Sequence, residues 1–183
     1  MHCHRRSLDI WSLDRSVSLA DNAKHSSASL NHIVRCHLMR VARFLLDFGG
    51  GVFVLLGLLH ALYTYLDIER PRRLVPQDPA VAQAMAESNL RLSGKGTTMW
   101  RAWVGFNFSH SLGVVLFGMV CISAGSVLGT VVLPAWILLV FVVIALIYLV
   151  VGLLYWFRIP VAGIALALGC LLVAWLTYTF AGV

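Results

Sequence analysis

Charge is what this chain lacks most. Asp, Glu, Lys and Arg make up 12% of its 183 residues and hydrophobic residues 60%, against about 25% charged and about 45–50% apolar in soluble domains. So little charge cannot cover a soluble globule of this length. Acidic residues are the scarcer sign, 8 against 14 Lys and Arg, which leaves a formal charge of +6. No nucleic-acid partner is expected from that excess, because the basic residues flank apolar runs, where they meet lipid headgroups. Cysteine is sparse too. Cys3, Cys36, Cys121 and Cys170 form no CxxC pair, and the last two lie inside apolar runs as small hydrophobes. A disulfide framework is therefore not expected.

Catalytic signatures are missing as well. Ser93 to Thr98 reads SGKGTT, but the GxxxxGK[ST] spacing of a phosphate loop is absent and no strand precedes it. No nucleophile elbow surrounds any serine. The third and fourth apolar runs lack the polar residues that would line a channel or pump path.

What the chain does have is apolar length. Four runs lie at about 44–66, 102–122, 131–154 and 160–180. A helix rises about 1.5 Å per residue, so about 20 residues cross a hydrocarbon core of about 30 Å. The expected fold is all-α, a four-helix transmembrane bundle. An amphipathic connector helix is expected between spans one and two, because Asp78-Pro79 reads as a helix N-cap and first position before AVAQAMAESNLRL. That helix is expected to end near Gly94, with Val81, Met85 and Leu92 on its apolar side. Tyr155 to Arg158 is an interfacial cluster, and Trp175 and Tyr178 are expected as interfacial anchors.

Residues 1–38 differ from the rest. They hold five of the seven histidines, many serines and no sustained periodicity, and they lack the apolar centre of a signal peptide. The expectation is a disordered or mis-annotated extension, with the four-span domain at 39–183 and Met39 as a plausible true start. His2, Cys3 and His4 are a weak candidate metal site. Orientation depends on the same question. The long loop and the third loop carry Arg70, Arg72, Arg73, Arg91, Lys95, Arg101 and Arg158. If the chain starts at Met39, only Arg40 and Arg43 oppose them, which puts the long loop inside. With residues 1–38 present, Arg5, Arg6, Arg15, Lys24 and Arg35 cancel the bias.

The polar residues gather in one place. Asn107, Ser109, His110 and Ser111 lie within span two, and His60 lies in span one with Thr64 and Asp67 along its face. By helix rise His60 is roughly 9 Å inside the long-loop end of its span, and Asn107 and His110 are roughly 8 and 12 Å inside theirs. The two spans are antiparallel, so these groups fall at similar depth. Gly105, Ser109 and Gly113 recur every four residues and are expected to form a close-packing seam. Trp100, Arg101 and Trp103 are expected as an interfacial anchor.

GLLHALYTYLD in span one, PQDPAVAQAM after it and MWRAWVGFNFSHSLG leading into span two resemble an uncharacterised family of small four-span bacterial membrane proteins. The pattern GFNxSHSxG is the specific part. In layout the chain is also similar to the DoxX-like group. The resemblance covers about Met39 to the carboxyl end. It implies a multi-pass protein of the bacterial cytoplasmic membrane and brings no activity.

Four readings of the polar set stay open. Interhelical hydrogen bonds alone would hold spans one and two together, at about 0.6 kcal/mol each. A ligand reading uses His60, Asn107, His110 and Ser111 to orient a small apolar or amphipathic molecule within the bundle, as befits an accessory protein or binder. An enzymatic reading uses His60 and His110 to move protons on a lipid-like or quinone-like substrate, with Asn107 or Ser111 polarising a carbonyl. Ser109 is the lesser nucleophile for want of a carboxylate-oriented base. A haem reading has His60 and His110 as axial ligands. Zinc would need a third or fourth ligand, and Asp67 is too near the interface to supply one. No cofactor is specified by any motif.

If Met39 is the natural start, mass-spectrometric mapping of the native protein will find an amino terminus there; peptides from residues 1–38 would remove the idea.

Overall fold

The structure, a computed structural model, describes the backbone of residues 5–70, 72–93, 96–128 and 130–182, with side chains from Ser29 onward except that of Ser93. Among the described residues it is all-helical apart from one isolated bridge. The helices are α1 (Arg5–Glu69), α2 (Pro79–Glu87), α3 (Met99–Val127), α4 (Ala135–Tyr155) and α5 (Arg158–Phe180). Four stretches are long and apolar enough to cross a bilayer: Ser29–Glu69, Met99–Val127, Ala135–Tyr155 and Arg158–Phe180. Their outer faces carry large exposed apolar side chains such as Phe106, Leu112, Leu116, Leu146, Leu154 and Phe180. Water would penalise such faces, whereas acyl chains solvate them.

Helix α1 has 65 residues and rises about 98 Å, some three times the hydrocarbon thickness. It runs unbroken across residue 38, where composition divides the chain. The side chains from Ser29 to His37 are exposed, and packing against the core begins at Met39, followed by Ala42 and Leu46.

The spans stand side by side in the order α3, α1, α5, α4, with α2 resting on α3. The two ends of the row, α3 and α4, face each other across a seam where their backbones stay apart and rings make the contact. Phe117 meets Phe141 and Tyr148 at centroid distances of 6.2 and 6.1 Å, and His110 meets Tyr148 at 6.0 Å and Trp156 at 4.8 Å.

Small residues set the closest helix pair. Gly50 on α1 lies against Gly118 on α3: a Cβ built on Gly50 would stand 2.6 Å from the Gly118 carbonyl oxygen, and one on Gly118 would stand 2.5 Å from that of Gly50. Two turns on, a Cβ on Gly57 would lie 3.0 Å from the Ser111 carbonyl oxygen. On the neighbouring face, one on Gly49 would meet Ala167 of α5 at 3.2 Å. The three consecutive glycines thus divide: Gly50 serves α3, Gly49 serves α5, and Gly51 has nothing within 4 Å.

The seam expected at Gly105, Ser109 and Gly113 is not the one used. Ser109 is exposed, nothing lies near a Cβ on Gly105, and the only neighbour of one on Gly113 is the Tyr148 hydroxyl at 3.8 Å. The buried stripe is instead Asn107, Ser111, Val114, Gly118, Cys121 and Gly125. Both stripes contain small residues at helical spacing, and only the partner helix decides between them.

The long loop is pinned at several points. The Asp67 carboxylate, 2% exposed, accepts from the backbone N–H groups of Arg72, Arg73 and Leu74. Asp78 caps α2, its side chain accepting from Ala80 N at 2.9 Å. Helix α2 stops at Glu87 rather than near Gly94. There the chain turns to pair Asn89 with Thr98, and Met99 N donates to Ser88 O at 2.9 Å. This backbone pairing replaces helix continuation, so Leu92 falls outside α2 and is fully exposed. Tyr178 is also not an interfacial anchor. It is fully buried, and its hydroxyl donates to Leu133 O, tying α5 to the turn before α4.

Substituting Leu for Gly118 or Gly50 is expected to lower the unfolding free energy in mixed micelles by about 1–3 kcal/mol through overpacking. Gly105→Ala should be neutral or stabilising by up to about 1 kcal/mol. Equal damage from Gly105→Ala and Gly118→Leu would contradict this helix pairing.

Candidate functional site

The register set by Gly50 opposite Gly118 and Gly57 opposite Ser111 carries one turn further and brings His60 opposite Asn107. His60 Nε2 and Asn107 Oδ1 are 2.8 Å apart. The amide is oriented by its other end, because Asn107 Nδ2 donates to the Trp103 carbonyl at 2.8 Å. A carbonyl only accepts, so the amide NH₂ faces Trp103 and the amide oxygen faces His60. His60 Nε2 must then carry the proton, and in the neutral imidazole Nδ1 keeps a lone pair. Asn107 is 3% exposed, so both bonds are sheltered from water.

The hydroxyl groups nearest this pair are occupied locally. Ser111 Oγ donates to Asn107 O at 2.8 Å, Ser109 Oγ to Phe106 O at 2.9 Å, and Thr64 Oγ1 to His60 O at 2.9 Å. Neither serine has a base beside it, so neither is an activated nucleophile in this arrangement. Trp103 does more than anchor at the interface, since its indole N–H donates to Leu74 O at 3.0 Å. A continuous path of hydrogen bonds therefore runs from Asp67 through Leu74, Trp103 and Asn107 to His60.

His110 stands apart from that path. It is half-buried at the α3–α4 seam, with rings on several sides. His60 lies edge to face at 5.7 Å, Phe106 is stacked at 6.1 Å, Tyr148 lies at 6.0 Å, and Trp156 is edge to face at 4.8 Å. Among the described residues nothing hydrogen-bonds to either of its ring nitrogens. The other Ser, Thr and Asn side chains of α3, α4 and α5 all bond to a carbonyl or a side chain. The Tyr148 hydroxyl is likewise without a hydrogen bond among the described residues. Beside these two groups lies an open groove of about 340 Å³, lined by His110, Ile144, Ile147, Tyr148 and Val151.

The four residues singled out from sequence thus divide. His60, Asn107 and Ser111 meet at the α1–α3 interface. His110 touches His60 but faces α4. Tyr148 was missed, because a tyrosine inside an almost wholly aliphatic span reads as packing. Its signal was its rarity: it is the one polar-tipped side chain in the middle of α4.

The arrangement bears on cofactors too. A haem held by His60 and His110 would need a slot between α1 and α3, yet the backbones of these helices meet at Gly57 one turn away, and His60 Nε2 is engaged by Asn107. The site does not fit a macrocycle. No group of three His, Cys, Asp or Glu side chains converges among the described residues. His2, Cys3 and His4 lie outside the described residues.

Four apolar helices of spanning length, packed through glycine and lined outside with aliphatic side chains, define a multi-pass helical membrane protein. No protein-family model, curated protein or solved structure matches the chain. The resemblance therefore rests on GLLHALYTYLD, PQDPAVAQAM and MWRAWVGFNFSHSLG alone.

Asn107→Ala should cost about 1–3 kcal/mol of stability, because it strands the His60 N–H, while the Trp103 carbonyl keeps its backbone bond within α3. Ser111→Ala should cost much less, since that hydroxyl only returns to its own helix. A double-mutant cycle between positions 60 and 107, read by unfolding in micelles, should give a coupling of about 0.6 kcal/mol, and none above about 1.7. Zero coupling would contradict the bond.

Proposed function

We propose that this protein binds a small amphipathic molecule taken from the bilayer, held at the α3–α4 seam with its polar head at His110. The observation that carries the reading is His110 itself. An imidazole with no hydrogen bond at membrane depth is costly, and here it borders a groove instead of a partner. His60 and Asn107 support the site from behind, fixing the face of α3 from which His110 projects. The groove volume lies near the lower end of the range of about 300–1,000 Å³ for ligand pockets, and its wall is aliphatic with two polar tips, the usual pattern for an oriented apolar ligand.

An enzymatic reading keeps one supporting observation, the edge-to-face contact of His60 and His110. Two imidazoles in contact can pass a proton to or from a bound lipid-like or quinone-like substrate. It lacks a carboxylate to orient either ring and a free nucleophile, so binding is the simpler reading. The proposed location is the cytoplasmic membrane of a bacterium, on the resemblance carried by the sequence. With Met39 as the start of the chain, the positive-inside rule puts the arginine-rich long loop inside; with residues 1–38 present it sets no orientation.

The test compares small molecules co-purified with wild type and with His110→Leu, which leaves the His60–Asn107 bond intact. The expected outcome is a bound amphipath reduced about fivefold or more in the variant, a loss of roughly 1 kcal/mol of head-group bonding, with thermal stability retained. Equal retention would overturn the reading.

A further inference from the structure

The groove allows its occupant to be described more closely, and this description rests on the binding function above. We propose that it takes the uncharged, hydroxyl- or carbonyl-bearing head of a single-chain amphipath from the leaflet on the long-loop side, with His110 and Tyr148 making the head-group hydrogen bonds. Tyr148 is then a specificity-determining residue.

Depth supplies the leaflet. Trp156 caps α4 at the long-loop side and packs on His110. From there Val151, Tyr148, Ile147 and Ile144 lead along α4 toward the bilayer centre. Trp156 to Ile144 is a rise of about 18 Å, a little more than one leaflet of hydrocarbon at half of about 30 Å. Val151 flanks Tyr148 on the long-loop side, the Tyr148 hydroxyl lies beside Gly113 of α3, and Ile147 and Ile144 continue the aliphatic wall. The groove thus lies within the leaflet on the long-loop side.

Chemistry supplies the head. None of the five lining residues carries a formal charge by type. An ionised carboxylate or phosphate would lose its water there with no arginine or lysine to replace it. A neutral imidazole offers one donor and one acceptor, and a phenol offers both. A single hydroxyl can donate to the imidazole and accept from the phenol. A carbonyl can accept from both. The space beside the two polar tips, about 340 Å³, suits a single acyl chain.

The experiment uses the full chain in detergent micelles and three probes of equal chain length: 1-tetradecanol, tetradecane, and myristate at alkaline pH. Native mass spectrometry counts the adducts on wild type, Tyr148→Phe, His110→Leu and the groove-filling Ile147→Trp. The expected result is one alcohol per chain, weakened about three- to tenfold by Tyr148→Phe, as for one neutral hydrogen bond. Ile147→Trp should abolish it, and the alkane and the ionised acid should bind more weakly than the alcohol. The proposal is overturned if tetradecane binds as well as the alcohol, if myristate binds more tightly, or if Tyr148→Phe binds as wild type does. Suppose the alcohol fails to bind while wild type still retains a natural lipid that His110→Leu loses. Then the binding function stands and this head-group chemistry falls. If nothing is retained by either, both fall.

Discussion

The backbone contact between α1 and α3 at Gly50 and Gly118 is the constraint on which the polar centre depends. Either glycine with a side chain would drive a carbon into the other's carbonyl oxygen. The absence of both side chains lets two long helices approach closely without any hydrophobic drive, which lipid does not provide between apolar surfaces. Once Gly50 faces Gly118, antiparallel packing leaves little freedom. Gly57 must meet Ser111, and His60 must meet Asn107. The histidine–asparagine bond is thus a consequence of the glycine register as much as a cause of it.

A second regularity concerns how polar side chains are accommodated. Ser109, Ser111, Ser123, Thr64, Thr177 and Thr179 each return a hydroxyl to a carbonyl three or four residues earlier in their own helix. Such bonds hide polarity without building a site. Asn107 and His60 go further and link two helices. Through Trp103 and Leu74 they also reach Asp67, whose carboxylate gathers the backbone of the long loop. The loop conformation and the orientation of His60 therefore belong to one bonded network, and hydrogen bonding alone accounts for that network without any ligand. His110 and Tyr148 are what hydrogen bonding alone does not account for, and they lie where α3 and α4 fail to close on each other.

This division alters the weight of the residues in GFNxSHSxG. Gly105 and Ser109, on which the repeat every four residues draws the eye, face outward, while Asn107 and Ser111 are the buried pair. The two stripes of small residues on α3 lie nearly half a turn apart, and composition ranks them equally. The same reason explains Tyr178: a tyrosine near the end of a span suits an interfacial anchor, yet the turn before α4 supplies a carbonyl that draws it inside. It also explains α2, whose helical pattern continues past Glu87 until pairing of Asn89 with Thr98 turns the chain away.

Sequence by itself determined the class, the number of spans, the N-cap at Asp78 and the depth match of His60 with Asn107. These depend on chain-local quantities: apolar length against bilayer thickness, capping chemistry and rise per residue. Only tertiary structure decided which glycines pack, that Trp103 straps the loop, and that His110, stacked on Phe106 of its own helix, also faces Tyr148 of α4 and Trp156 at its end. Those depend on the rotation of each helix about its axis and on which helix lies beside it. Spans that are apolar all round, like α4, carry almost no mark of either.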